Sequence, residues 1–520
     1  MIKKILSVWK FFADSGTEKV LFVVFAFFIW INAVSGILYK PVFLVGDEVE
    51  NIVTTARGIP ESLFTHAAVT TGNSNGRFYP LGHYDLNILT FIPGAVTPRA
   101  HYVFIAFSFT AAFIVLAYFL VYYAKKRGMS FPFYRTAAVL FFFFFTPGVI
   151  VVYLKLVYPE RILVFLFSVF FLFYIKALES GKLYWYIAAF IMAAVSCYVK
   201  EPVFGFFLVF AVANLYFCGK KTDKRQRVFY FSIIVNSLFY IAVYYLLVWR
   251  NRTVVYAGTG DTVFFKNLFM LFLNSVVIVY PLMLFVMESA GNIKKYIRGK
   301  IFTPDEIFPY TMLAAGMAYA MAVALLKLNA GYYLVPAVAA TLPAAVVIKP
   351  HIPKAGYLCV LAVLFLWCVH EHGFVVNAMH KDRVAGARIM DFINNSAVRG
   401  GSLYFVVPPH ENTAENSHTL NFPDIYRKFT VFYTGRDIEC LIVPEKDMPV
   451  NKPEINDIVV FAAMRGRDGI PALPSARLEN MLESRGFEYQ LYYADQLFFI
   501  HGNNVRKSAS IRHKQKARLF

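Results

Sequence analysis

A succession of apolar runs, separated by short polar or basic connections, restricts this chain more than any other feature. The runs lie at about 19–39, 101–123, 133–152, 161–178, 183–199, 202–218, 228–249, 265–287, 307–327, 331–348 and 355–373. A helix of about 20 residues crosses a hydrocarbon core of ~30 Å, and backbone in hydrocarbon must satisfy its own hydrogen bonds. The runs therefore predict about eleven transmembrane helices. Of 520 residues, 58% are hydrophobic and 16% charged. With a mean hydropathy of +0.54, this lies outside the balance of soluble domains. The expected fold class is a polytopic α-helical membrane protein.

The formal charge of +19 does not point to nucleic acid, because no basic aromatic recognition motif accompanies it. The basic residues sort by side. Lys3, Lys4 and Lys10, KKRG at 125–128, GKKTDKRQR at 219–227, KKYIRGK at 294–300 and KPHIPK at 349–354 fall together, and the positive-inside rule makes that side cytoplasmic. The amino terminus is then inside. The loop 40–100, the turns near 158, 200, 252 and 329, and all residues after 373 face outward. The first run exceeds the usual core of a secretory signal and is expected to remain as an anchor. In a bacterium, this places the chain in the inner membrane. Five cysteines, four of them in apolar runs, provide neither a disulfide framework nor metal-ligand spacing.

Residues 374–500 change character. SLYFVVPPH, IECLIVP, DIVVFAA and YQLYYADQLFFI read as strands, and VAGARIMDFINNSA and SARLENMLESRGF as helices. The expectation is a small C-terminal extracytoplasmic α/β domain, without a glycine-rich phosphate loop. Residues 501–520 are expected to be a basic, disordered tail suited to anionic headgroups.

The first outer connection carries the most chemistry. Its length is far beyond that of ordinary helix connections. GDEVENIVTTARG, at 46–58, places Asp47 and Glu48 just after the first span, and Val49, Ile52, Val53 and Ala56 form one face of a short helix. Asp47 with Glu50 three residues on fits a capping box, so helix cap and functional carboxylate are both open readings. Farther on, GNSNGRFYPLGHYDLNIL (72–89) crowds Arg77, Tyr79, His83, Tyr84, Asp85 and Asn87 around a proline turn.

By these motifs the chain resembles the GT-C superfamily of membrane glycosyltransferases that use polyprenyl-phosphate sugars, in the branch of the protein O-mannosyltransferases and aminoarabinose transferases. That branch has one span, an Asp-Glu pair, a helix lying along the membrane, then a basic residue before a PPL segment. Here Arg77 takes the basic place and Tyr79, Pro80 and Leu81 stand for PPL. YVKEPVF (198–204) is similar to a Lys-Glu-Pro turn of the family, and NAGYYLVPAVAATLP (329–343) to its aromatic YYLLP segment. The resemblance covers roughly residues 15 to 350 by order and spacing of short motifs.

The resemblance implies transfer of a sugar, with inversion, from a polyprenyl-phosphate donor to an extracytoplasmic glycolipid, polysaccharide or protein. The leaving lipid phosphate is a stable anion, so one carboxylate base suffices where glycoside hydrolysis usually needs two carboxylates. Asp47 is the expected base on the acceptor hydroxyl and Glu48 an orienting residue. Arg77 and Lys200 are the expected phosphate partners. Tyr79, His83, Asp85, Glu201, Tyr332 and Tyr333 are the expected substrate contacts.

Each assignment has a plainer reading. Lys200 and Glu201 also read as a solvated pair at a hairpin turn. Tyr332 and Tyr333 read as interfacial anchors. Glu160 and Arg161 are expected to be a surface ion pair. His83 and Asp85 are too few ligands to predict a metal site; no cofactor is required, and a divalent cation is left open. The rivals to a transferase of this kind are a lipid-linked sugar transporter or flippase and an O-antigen polymerase or ligase. The first usually places its charges within the spans, and the second has its main outer loop late in the chain.

Overall fold

The computed structural model describes residues 15–43, 78–82, 88–89, 92, 97–251, 302–326, 331–347, 354–398 and 400–407, and the remaining strands with short pieces beside them between 427 and 502. The chain divides into two compact units, Met1–Tyr39 with Thr55–Asn377, and Lys40–Thr54 with Ala378–Phe520.

Among the described residues, the helices of the first unit are α1 (Ser15–Leu38), α2 (Pro98–Lys126), α3 (Pro132–Phe144), α4 (Pro147–Leu154), α5 (Glu160–Ser180), α6 (Leu183–Val199), α7 (Val203–Cys218), α8 (Lys224–Leu247), α9 (Pro304–Leu325) and α10 (Val335–Val347). A long helix, α11 (Lys354–Val398), begins in this unit and continues into the second.

Local chemistry sets many of the ends. Thr97 caps α2 through the amide of Ala100, with Pro98 in the first turn. Full capping boxes, Asp223 with Gln226 and Thr303 with Glu306, begin α8 and α9. Gly181, left-handed at φ 63°, ends α5. The start of α3 is different, because Phe131 precedes it and offers no side-chain cap. Glu18 of α1 does the work instead, its Oε1 accepting from the amides of Phe133 at 2.9 Å and Tyr134 at 3.1 Å.

Among the described residues six helices are long and apolar enough to cross a membrane: Gly16–Leu38, Pro98–Lys126, Glu160–Ser180, Lys224–Leu247, Pro304–Leu325 and Ala362–Lys381 within α11. Leu183–Val199, Val203–Cys218 and Gly331–Val347 are shorter apolar helices.

Two expected spans take another form. The run at 133–152 is broken into α3 and α4, which meet at 65°; Pro147 cannot continue the α3 hydrogen-bond ladder and instead starts a new helix at N1. The run at 355–373 does not end there. It continues through residues 384–397, expected as a separate helix, in one helix of 45 residues. No proline interrupts it, and Gly356, Gly373 and Gly386 are isolated single glycines, each costing a helix only about 1 kcal/mol. The run at 265–287 lies outside the described residues.

α5 packs on α2 and α6, α9 on α7 and α10, and α8 on α6 and α7. The interior is largely aromatic, with Phe170, Phe207, Phe210, Tyr174 and Phe308 meeting edge to face or tilted. α9 and α10 approach closely at Gly316, where an added Cβ would lie 2.9 Å from Ala340 Cβ, the small-residue contact used by helices packed in lipid. α1 and α8 leave rows of large apolar side chains exposed, among them Val20, Val24, Phe27, Phe231, Val235 and Phe239. Helix faces against hydrocarbon look like this.

The second unit contains a five-stranded sheet of β1 (Leu403–Val407), β2 (Cys440–Pro444), β3 (Ile458–Ala463), β4 (Glu488–Tyr493) and β5 (Leu497–Gly502), in the order β2-β1-β3-β5-β4. β1 runs parallel to β2 and β3, with Leu403 opposite Cys440 and Ile458. β5 is antiparallel to β3 and β4, with Phe499 opposite Phe461 and Leu491. The segment 489–500 forms two strands, and β5 runs on to Gly502, so the first two residues of the expected disordered tail, 501–520, belong to the sheet, where His501 lies opposite Val459 and Tyr489.

Candidate functional site

Glu160 is the first residue of α5, where a carboxylate is favoured by the helix dipole, and Lys200 is the C-cap of α6, where a cation is favoured. α5 and α6 are successive, packed helices, so the start of one meets the end of the other. Glu160 Oε1 lies 2.8 Å from Lys200 Nζ. Glu160 is fully buried and Lys200 only 5% exposed. The contact is an ion pair more than a well-directed hydrogen bond, and Glu160 Oε2 accepts no hydrogen bond among the described residues.

Arg161, also fully buried, turns its Nη1 back on the carbonyls of Leu156 and Tyr158. It thereby fixes the turn between α4 and α5, where a buried carbonyl would otherwise lose its water without replacement. Tyr158 in that turn stacks on Tyr332 at 4.1 Å between centroids, and Tyr332 lies 4.2 Å from Tyr333. Lys200 Nζ sits 4.9 Å from the Tyr333 ring centroid and 5.9 Å from that of Tyr79, within the range of cation–π attraction.

The short piece 78–82 is tied to the same end of the helices. The Leu81 amide donates to the Tyr198 carbonyl at 3.0 Å, the Phe78 amide to Glu201 Oε1 at 3.3 Å, and the Tyr240 hydroxyl to the Phe78 carbonyl at 2.6 Å. The Phe78 ring packs on Tyr198 and Tyr240. Residues far apart in sequence thus surround one buried ammonium.

Of the expected site residues, the fold brings together Tyr79, Lys200, Glu201, Tyr332 and Tyr333. Asp47, Glu48, Arg77, His83 and Asp85 lie outside the described residues. Two plainer readings are corrected. Glu160 and Arg161 are not a surface ion pair: both are buried, and the acid pairs with Lys200. Lys200 and Glu201 are not a solvated hairpin pair: the lysine turns inward and the glutamate holds the Phe78 amide. Tyr158 and Glu160 were not expected here. The available signal was a Tyr-Pro-Glu-Arg turn opening an apolar helix on the same side as Lys200. Among the described residues no three His, Cys, Asp or Glu side chains group to hold a metal.

Gly148, in the first turn of α4, positions the tyrosines. A Cβ there would come within 2.5 Å of the Gly331 carbonyl oxygen and 3.1 Å of the Tyr332 nitrogen, both backbone atoms. Gly148→Ala should therefore displace the Gly331–Leu334 turn and cost about 1–3 kcal/mol through overpacking. Thermal unfolding in detergent measures this; an unchanged midpoint would show that the turn yields freely.

No family model and no curated protein matches the chain. Among solved structures, the crystal structure of ArnT from Cupriavidus metallidurans bound to undecaprenyl phosphate is similar over 94% of this chain and 98% of that one, with 13% identity and a TM-score of 0.46.

Proposed function

We propose that the chain is an integral membrane glycosyltransferase of GT-C type, moving a sugar from a polyprenyl-phosphate donor to an acceptor outside the cytoplasm, with inversion at the anomeric carbon. The observation that carries this reading is the buried Lys200 ammonium, held by Glu160 and walled by Tyr79 and Tyr333 at the ends of apolar helices. A lipid phosphate needs that combination: an apolar surround for the chain and a fixed cation for the headgroup. The order of the GDEVEN, RFYPL, YVKEP and YYLVP motifs along the chain supports it independently.

In this reading the acceptor hydroxyl attacks the anomeric carbon as Asp47 takes its proton, and the bond from that carbon to the phosphate oxygen breaks. Lys200 and Arg77 stabilise the charge gathering on the leaving phosphate. Glu48 orients the acceptor side, and His83, Asp85, Glu201 and the Tyr332–Tyr333 pair line the way to sugar and lipid. The amino terminus lies in the cytoplasm and the C-terminal α/β unit outside it, in the inner membrane of a bacterium.

The test is mass spectrometry of lipid copurifying with the full chain, followed by transfer from a labelled polyprenyl-phosphate sugar in reconstituted vesicles. A copurifying polyprenyl phosphate and label in a new product are expected. Label crossing the bilayer still attached to its lipid, with no transfer, would make the protein a transporter instead.

A further inference from the structure

Resting on the donor proposed above, we infer that Glu160 is a positioning residue that competes with the donor's phosphate for Lys200. The pair is exchanged during each turnover. Lys200 Nζ meets Glu160 Oε1 at 2.8 Å, and both side chains are buried. A purely structural buried pair is stable only when the remaining lone pairs are also satisfied. Glu160 Oε2 is buried and accepts no hydrogen bond among the described residues, so this pair falls short of that condition.

The geometry makes the competition unavoidable. A phosphate oxygen paired with Nζ at about 2.8 Å comes to lie no more than about 6 Å from the carboxylate that holds the same nitrogen. At an effective dielectric near 20, repulsion between unit charges at that distance weakens anion binding by on the order of 100-fold. The dipole of α5 keeps the carboxylate at the helix start when the pair opens. Glu160 is then poised to retake Lys200 and expel the product phosphate. A site that holds an anionic lipid in an apolar surround must also let it go, and this contact supplies the means.

The experiment titrates the full-length protein in detergent with a synthetic polyprenyl phosphate, and measures KM and kcat for transfer, in wild type, Glu160→Gln and Glu160→Asp. Glu160→Gln removes the competing charge and should bind the phosphate about 10- to 100-fold more tightly, with KM and kcat both lowered as release slows. Glu160→Asp stretches the pair and should tighten binding by a smaller factor. A residue needed only for folding would weaken binding when replaced. If wild type binds and neither variant binds more tightly, the inference is overturned while the donor reading stands. If Glu160→Gln does not fold, Glu160→Asp decides: equal or weaker binding overturns the proposal. Absence of binding to wild type overturns the donor reading and this inference together.

Discussion

Lys200→Ala should lose about 3–5 kcal/mol of stability and raise the KM for the lipid donor by about 100-fold or more, because it leaves the Glu160 carboxylate buried without its counter-charge. The size follows from burial: Glu160 is fully enclosed and Lys200 nearly so, so solvent screening, which reduces most surface pairs to less than 1 kcal/mol, gives little relief. The two effects separate in the double variant Glu160→Gln with Lys200→Met. With no charge left to desolvate, it should regain most of the lost stability, as apolar replacements of buried pairs commonly do, and still fail to use the donor. Thermal unfolding and donor kinetics on the same preparations measure both. A Lys200→Ala protein as stable as wild type, with an unaltered KM, would remove the pair from fold and site alike.

For Asp47 the decisive comparison is between two substitutions. Asn caps a helix about as well as Asp, whereas Ala loses roughly 1 kcal/mol. In the role proposed for Asp47, both substitutions remove the base. Asp47→Asn should therefore keep its unfolding midpoint while transfer falls by about 100- to 10,000-fold. Asp47→Ala should lose as much activity and some stability as well. Full activity in Asp47→Asn would leave this residue as a cap alone.

The parts of this fold that could be read from the chain are those where local punctuation is strong. Residues 183–199 and 202–218 emerged as helices almost at the expected limits, because Gly181 and the Lys200-Glu201-Pro202 turn bracket them. The break in 133–152 was written in Thr146-Pro147-Gly148 but hidden by the apolar residues on both sides. The continuity of α11 is hidden by the polar residues that follow the apolar run at 355–373; His372, near its end, is buried and bonds Asn32 of α1 at 3.0 Å. The candidate site was legible residue by residue but not as a set. A charged dipeptide after a turn shows that it faces water or a partner; it does not show which partner. Glu160 and Lys200 are forty positions apart, and only the packing of α5 against α6 makes them a pair.

The capping of α3 by Glu18 has a consequence for how the chain is made. The carboxylate lies 115 residues ahead of the Phe133 amide that it accepts from. At about 5–20 residues per second of synthesis, roughly 6 to 23 s pass between the emergence of one and the other. Throughout that interval the acid has no amide of α3 to accept from. The cap on α3 can therefore form only after residue 134 has been made, so the start of α3 depends on a helix synthesised well before it.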